Sequence, residues 1–349
     1  MSSTRRILLA ALAGVLLISS LTFAGGDDGM LPAARVILLP LAGPIAAPEA
    51  EVSSMTWQGD TLVILPQFPD LFADDGMLGI FGVGKETILR SIDSGGTEPI
   101  EPHLMLCRAP GLAGVVRGFD GLEAMGVIGD RYFMTVEAKD DTVMAGFLVS
   151  GRYDMVDDLV VMNLSDLTFI PMGLNIPNVA EESIIIDGDR VITLCEANGR
   201  NVNPAPLAKV FNIDAEFVGS IPMPWIEYRV TDATALDEDG RFWVINYLYP
   251  PERAKLDPAP DPELARFGGM SPPDPDACVE RLLELRLTED DTIVRTDTPP
   301  VNLELLPDGL CRNWEAVVRL DDRGFLLMTD KYPGTLLAFV PFPEGRKHD

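Results

Sequence analysis

The chain has 349 residues, with 27 lysines and arginines against 54 aspartates and glutamates, a formal net charge of −27, four cysteines and two histidines. Its length suits one large all-β domain or two small ones, and its charge repels nucleic acid and anionic lipid, so neither is an expected partner. Because Ser-His-Asp triads and histidine-rich zinc sites need imidazoles placed together, His103 and His348 alone leave a carboxylate-based site as the available chemistry.

The N-terminal segment 1–24 reads as a secretory signal. Arg5 and Arg6 precede an apolar run from Ile7 to Phe23, then Ala24 and a Gly-Gly pair. Ser3-Thr4-Arg5-Arg6 also fits a twin-arginine signal, and an uncleaved anchor is the alternative to cleavage. No other segment has the pattern of a membrane span, so residues 25–349 are expected to form a periplasmic or secreted domain.

Five segments then share one pattern: a polar residue, a small residue, an apolar strand, a tight turn, a second apolar strand and a polar end. They run from Ser53 to Gln67, Glu123 to Glu137, Glu182 to Glu196, Asp232 to Asn246, and Glu315 to Asp330. Gly-Asp and Asp-Gly between short strands predict hairpins, since both residues tolerate the positive φ of tight turns. The strands Leu62–Leu65, Tyr132–Val136, Val191–Cys195, Phe242–Ile245 and Phe325–Thr329 are apolar throughout, which implies burial on both faces. Further strands follow, such as Ala145–Ser150 with Asp158–Asn163, and Ala208–Ile213 with Glu216–Ile221. Four strands per unit with both faces buried describe an all-β propeller. Arg35–Leu41, an orphan strand, is expected to pair with Gly334–Pro341 and close the ring at five blades. Six is the alternative, if residues 279–305 form a divergent blade. Among the cysteines, Cys195 reads as a buried free thiol, and Cys278 with Cys311 are candidates for a disulfide.

The first strands of propeller blades line the axis and run the same way, so Ser53, Glu123, Glu182, Asp232 and Glu315 are expected at one height around a channel. Crowded carboxylates ionise together only when a cation or protons compensate, and a ring of carboxylates and hydroxyls suits Ca²⁺. Alternatively the ring is solvated and its acids cap neighbouring backbone N–H groups. The second strands return Glu137 and Glu196 to the same mouth as candidate general bases. Arg117, Arg229, Arg312 and Lys331 fall there by the same register, as candidates for gripping an anionic substrate or for salt bridges to the acids. The loops at this mouth are the long ones, above all the Pro-rich Tyr247–Ala277, which is either a lid or an irregular insertion.

The stretch from Arg312-Asn313-Trp314-Glu315 to Thr329-Asp330-Lys331 resembles the closing motif of secreted bacterial propellers in the phytase-like group, called "esterase-like activity of phytase". The Glu123–Glu137 and Glu182–Glu196 units look like its other blades, so the resemblance spans most of residues 50–342. The order Ser, Glu, Glu, Asp, Glu is also similar to the calcium ring of the five-bladed calcium-activated nucleotidases, which carry Ser where Asp232 stands. These resemblances imply a calcium-dependent hydrolase of phosphate or other esters, a lactonase-type reaction being a close variant. The alternative is a non-catalytic, calcium-stabilised binding module of the cell envelope, since propellers host both.

Overall fold

A computed structural model describes residues 31–141, 143–268 and 277–343. The expected signal, His348 and part of the Pro-rich loop lie outside these residues. The five predicted hairpins form. Their first strands are Val52–Gln58, Phe119–Ile128, Glu181–Asp187, Arg229–Ala233 and Trp314–Leu320. They pair antiparallel with Thr61–Pro66, Arg131–Asp140, Arg190–Cys195, Arg241–Leu248 and Gly324–Thr329, respectively. Four of the turns contain a glycine in the left-handed region, at φ 56° for Gly59, 61° for Gly129, 58° for Gly188 and 74° for Gly240, where a Cβ would be strained.

Two outer strands complete each unit. Met77–Gly84 and His103–Arg108 follow the first hairpin, Val143–Asp154 and Leu159–Ile170 the second, and Leu207–Asn212 and Phe217–Pro222 the third. In the fourth, Val279–Leu287 pairs with Arg241–Leu248 along its whole length and carries the short Ile293–Arg295 and Val301–Asn302 on its far side. Residues 279–305 therefore make no separate sheet. The fifth unit is finished by Leu337–Pro341 and by the N-terminal Ile37–Leu39, with Ile37 opposite Phe339 and Leu39 opposite Leu337. The ring closes as its ends predicted.

One feature departs from separate blades. His103–Arg108 also pairs in parallel with Leu159–Ile170, fusing the first two units into one eight-stranded sheet. This pairing satisfies two strand edges that would otherwise be open.

The continuous apolar runs follow from packing on both faces. Leu62 and Ile64 meet Val318, Leu326 and Met328 of the fifth unit, while Val63 and Leu65 meet Leu122, Tyr132 and Met134 of the second. The same alternation carries on around the ring, through Phe133 against Val191, Leu194 against Phe242, and Trp243 against Phe325. Each unit thus shares one core with each neighbour. Fully burying one such Leu, Ile or Phe contributes about 1.5–3 kcal/mol.

Candidate functional site

In all five first strands the pairing register slips at the recurrent polar residue. The shifts fall between Val52 and Ser54, Leu122 and Ala124, Glu181 and Ser183, Val230 and Ala233, and Trp314 and Ala316. Ser53, Glu123, Glu182 and Glu315 are the residues skipped, and Asp232 falls in the fourth slip. A bulge re-aims the residue it frees, so the repeat marks where each strand breaks its ladder.

Ser53, Glu123, Glu182 and Glu315 come together as expected, lining one cavity of about 220 Å³ with Glu137, Arg229, Asp330 and Lys331. Asp232 is the exception. Its carboxylate accepts the backbone N–H groups of Ala233 and Val317, each at 2.8 Å. It therefore ties the fourth and fifth inner strands together, the capping role held open in the sequence, and it is absent from the cavity lining. Ser53 is likewise engaged, its hydroxyl donating to the Leu122 carbonyl at 2.7 Å.

Glu123 and Glu137 are neighbouring carboxyls of this cavity. Gln67 Nε2 donates to Glu123 Oε1 at 2.9 Å, while Glu137 Oε1 is buried with no hydrogen-bond partner. Burial, then the charges of Glu182 and Asp120, pushes Glu137 up to about 7, eased by the neighbouring Glu123 carboxyl and by Arg229. Burial also holds Glu123 well above the carboxylate range, reinforced by Glu182 and Glu137 and opposed by Gln67. The pair therefore keeps one proton at neutral pH and titrates as a unit. Gly121 makes room for it. Gly121 faces Glu137 across the hairpin at φ 143°, and a Cβ there would stand 2.7 Å from Gln67 Cγ and 3.1 Å from Glu123 Oε1.

Arg229 is the central cation. Its guanidinium lies 3.6 Å from Glu315, 4.0 Å from Glu182 and 3.5 Å from Glu252, and it is ion-paired with Glu196 as well. Burial works against its charge, yet Glu315, Glu182 and Glu252 hold it firmly protonated. Glu252 comes from the Pro-rich loop, which forms Pro250–Glu252 and the helices Arg253–Leu256 and Pro262–Phe267. That loop carries no repeat pattern, so nothing in the sequence pointed to Glu252.

The other expected cations separate. Arg312 is buried against Glu280 and the Glu304 carbonyl, at 3.2 and 2.8 Å, away from the cavity. Arg117 is exposed and pairs with Asp140 at 3.1 Å, also outside the cavity. Lys331 stands at the rim, bridged to Glu51 at 2.7 Å. As a set these four do not form an anion grip: all four are paired with acids, and two of the four lie outside the cavity lining. Glu196 is fully buried on Arg229 and does not line the cavity, so of the two expected bases only Glu137 faces it. Cys278 and Cys311 form a disulfide with a Cα separation of 5.5 Å, and Cys195 is a buried free thiol.

The expected calcium can be weighed against these contacts. The donor types suit a hard cation, and Glu315 Oε2 is buried with no hydrogen-bond partner. The arrangement differs from a coordination shell, because Arg229 stands beside Glu182 and Glu315 and Asp232 is spent on backbone. Among the described residues no three His, Cys, Asp or Glu side chains form a metal-binding group. No helix among them is long and apolar enough to cross a membrane.

No family model and no curated protein matches the chain. Among solved structures it is similar to a GH43_1 enzyme from Xanthomonas citri complexed with xylose, at TM-score 0.46 and 8% identity over 87% of this chain and 90% of that one. A glycosyl hydrolase from Bacteroides ovatus gives 0.42 and 9%, over 88% and 94%. The soluble aldose sugar dehydrogenase of Escherichia coli gives 0.41 and 11%, over 88% and 99%. These are distant likenesses that pass on no chemistry. The propeller architecture stands on this protein's own strand order.

Proposed function

We propose that the mouth is the catalytic site of a hydrolase of carboxylic esters or lactones, with Glu123 and Glu137 as a two-carboxyl acid–base pair. The observation that carries it is the placement of both carboxyls on one cavity, with Glu137 raised to about 7. Two carboxyls sharing a proton divide the work. Ionised Glu137 takes a proton from water as its oxygen bonds the carbonyl carbon, while protonated Glu123 donates a hydrogen bond to the carbonyl oxygen. Collapse breaks the acyl–oxygen bond, and the proton held by Glu137 passes to the leaving alkoxide. Phosphate esters fit poorly, because the cavity's acids outnumber Arg229 and Lys331.

A panel of p-nitrophenyl esters, aliphatic lactones and p-nitrophenyl phosphate tests this, with Glu137→Gln as control. The expected result is ester or lactone turnover that Glu137→Gln lowers about 10²–10⁴-fold. Turnover unchanged in that variant would overturn it.

The unpartnered Glu315 oxygen and the acid excess favour a second reading, a calcium site held by Ser53, Glu123, Glu182 and Glu315. Bound there, the ion would neutralise the ring and polarise a carbonyl oxygen, and Arg229 would have to withdraw from Glu182 and Glu315. Thermal unfolding with Ca²⁺ and with EDTA checks it. A calcium-dependent rise in Tm that Glu315→Gln abolishes supports the site, and an unchanged Tm rejects it.

A further inference from the structure

A second cavity, of about 440 Å³, adjoins the carboxyl chamber and shares Arg229, Asn313, Asp330 and Lys331 with it. Its walls are of another kind. Tyr247, Tyr249, Tyr332 and Leu310 line it, and Tyr249 and Tyr332 are each 47% exposed. Half-exposed aromatic rings at the edge of a cavity offer flat apolar faces to a ligand, and the volume lies within the roughly 300–1,000 Å³ of small-molecule sites.

Charge narrows the occupant. Two cations, Arg229 and Lys331, face two anions, Glu252 and Asp330, so this antechamber is balanced where the inner chamber is acidic. Arg229 is already paired to Glu252 and Lys331 to Glu51, which leaves neither cation free to draw in a phosphate, while Asp330 keeps Oδ1 without a hydrogen-bond partner and open to a hydroxyl. The polar groups that remain can still exchange hydrogen bonds. The Asn313 amide donates to Asp330 at 3.0 Å, and burial keeps the Tyr247 phenol protonated. Aromatic faces for C–H surfaces, with amide, phenol and carboxylate for hydroxyls, suit a ring that is apolar on its faces and polar at its edge.

We propose that the antechamber is a binding subsite for an uncharged, hydroxyl-rich ring of the pyranose type, stacked on Tyr249 and Tyr332. Resting on the hydrolase reading, the ring belongs to the ester or lactone whose carbonyl reaches Glu123 and Glu137.

The test is saturation-transfer NMR on the full chain with a panel of methyl pyranosides, and with inorganic phosphate and tetramethylammonium as charged counter-probes. Pyranoside signals are expected with wild type and with Glu137→Gln, weakened about five- to tenfold in Tyr249→Ala and Tyr332→Ala. Both tyrosines are half exposed, so these variants should melt like wild type. No pyranoside signal, preference for either charged probe, or equal binding by both tyrosine variants would overturn the subsite. Pyranoside binding with no ester or lactone turnover would leave the subsite standing and defeat only the hydrolase reading.

Discussion

Replacing Glu137 with glutamine keeps the shape of the side chain and removes its charge. In the folded protein this carboxyl is raised from 4.5 to about 7, chiefly by burial. At about 1.36 kcal/mol per pH unit this amounts to about 3 kcal/mol. The folded state holds the proton more tightly than the unfolded chain does. The contribution is therefore fully present below about pH 4.5, falls as pH rises, and is gone above about 7. Glutamine is neutral throughout. Glu137→Gln should match wild type near pH 4.5 and exceed its unfolding free energy by about 3 kcal/mol above pH 8. Urea denaturation across this range reads the difference, with equal m-values confirming that only stability has changed. A variant whose pH profile parallels wild type would refute the argument, because the lost stability would then belong to other groups. The same variant should lose hydrolysis, so stability gained at alkaline pH and activity lost form one signature.

Arg229→Met leaves Glu182, Glu196, Glu252 and Glu315 without their shared counter-charge, and should cost about 3–5 kcal/mol in chemical denaturation at neutral pH. Part of that loss should return in acid, where the glutamates protonate. Cys278→Ser opens a loop whose ends are 33 residues apart, which in the chain-entropy account costs about 3–4 kcal/mol, and dithiothreitol should lower the wild-type Tm in parallel. Arg117→Ala removes only an exposed pair with Asp140 and should change stability by less than about 0.5 kcal/mol, with no effect on turnover.

The ring of units was legible because its signals are local. Gly-Asp turns, unbroken apolar strands and polar residues at fixed spacing each reflect a hairpin buried on both faces. The fusion of the first two sheets was not, since the pairing of Leu106 with Leu159 joins strands 53 residues apart with no turn signal between them. At the site, spacing placed Ser53, Glu123, Glu182 and Glu315 correctly. The same spacing misplaced Asp232, because height on the axis does not say which way a bulged side chain turns. Arg229 was recognised as a cation of the mouth but assigned to a ligand, while its partners include Glu252 from a loop with no repeat. Tyr249 and Tyr332 lie in irregular segments where periodicity is silent. Gly121, two residues before Glu123, was the one available sign of crowding between the paired carboxyls.

The central claim is that Glu123 and Glu137 share a proton near neutrality. Carboxyl ¹³C titration of glutamate-labelled protein tests it directly, wild type against Glu137→Gln. The expected result is a resonance titrating at about 7 in wild type and missing from the variant. If every glutamate carboxyl of the wild type titrates in the ordinary range near 4.3, the paired site does not exist.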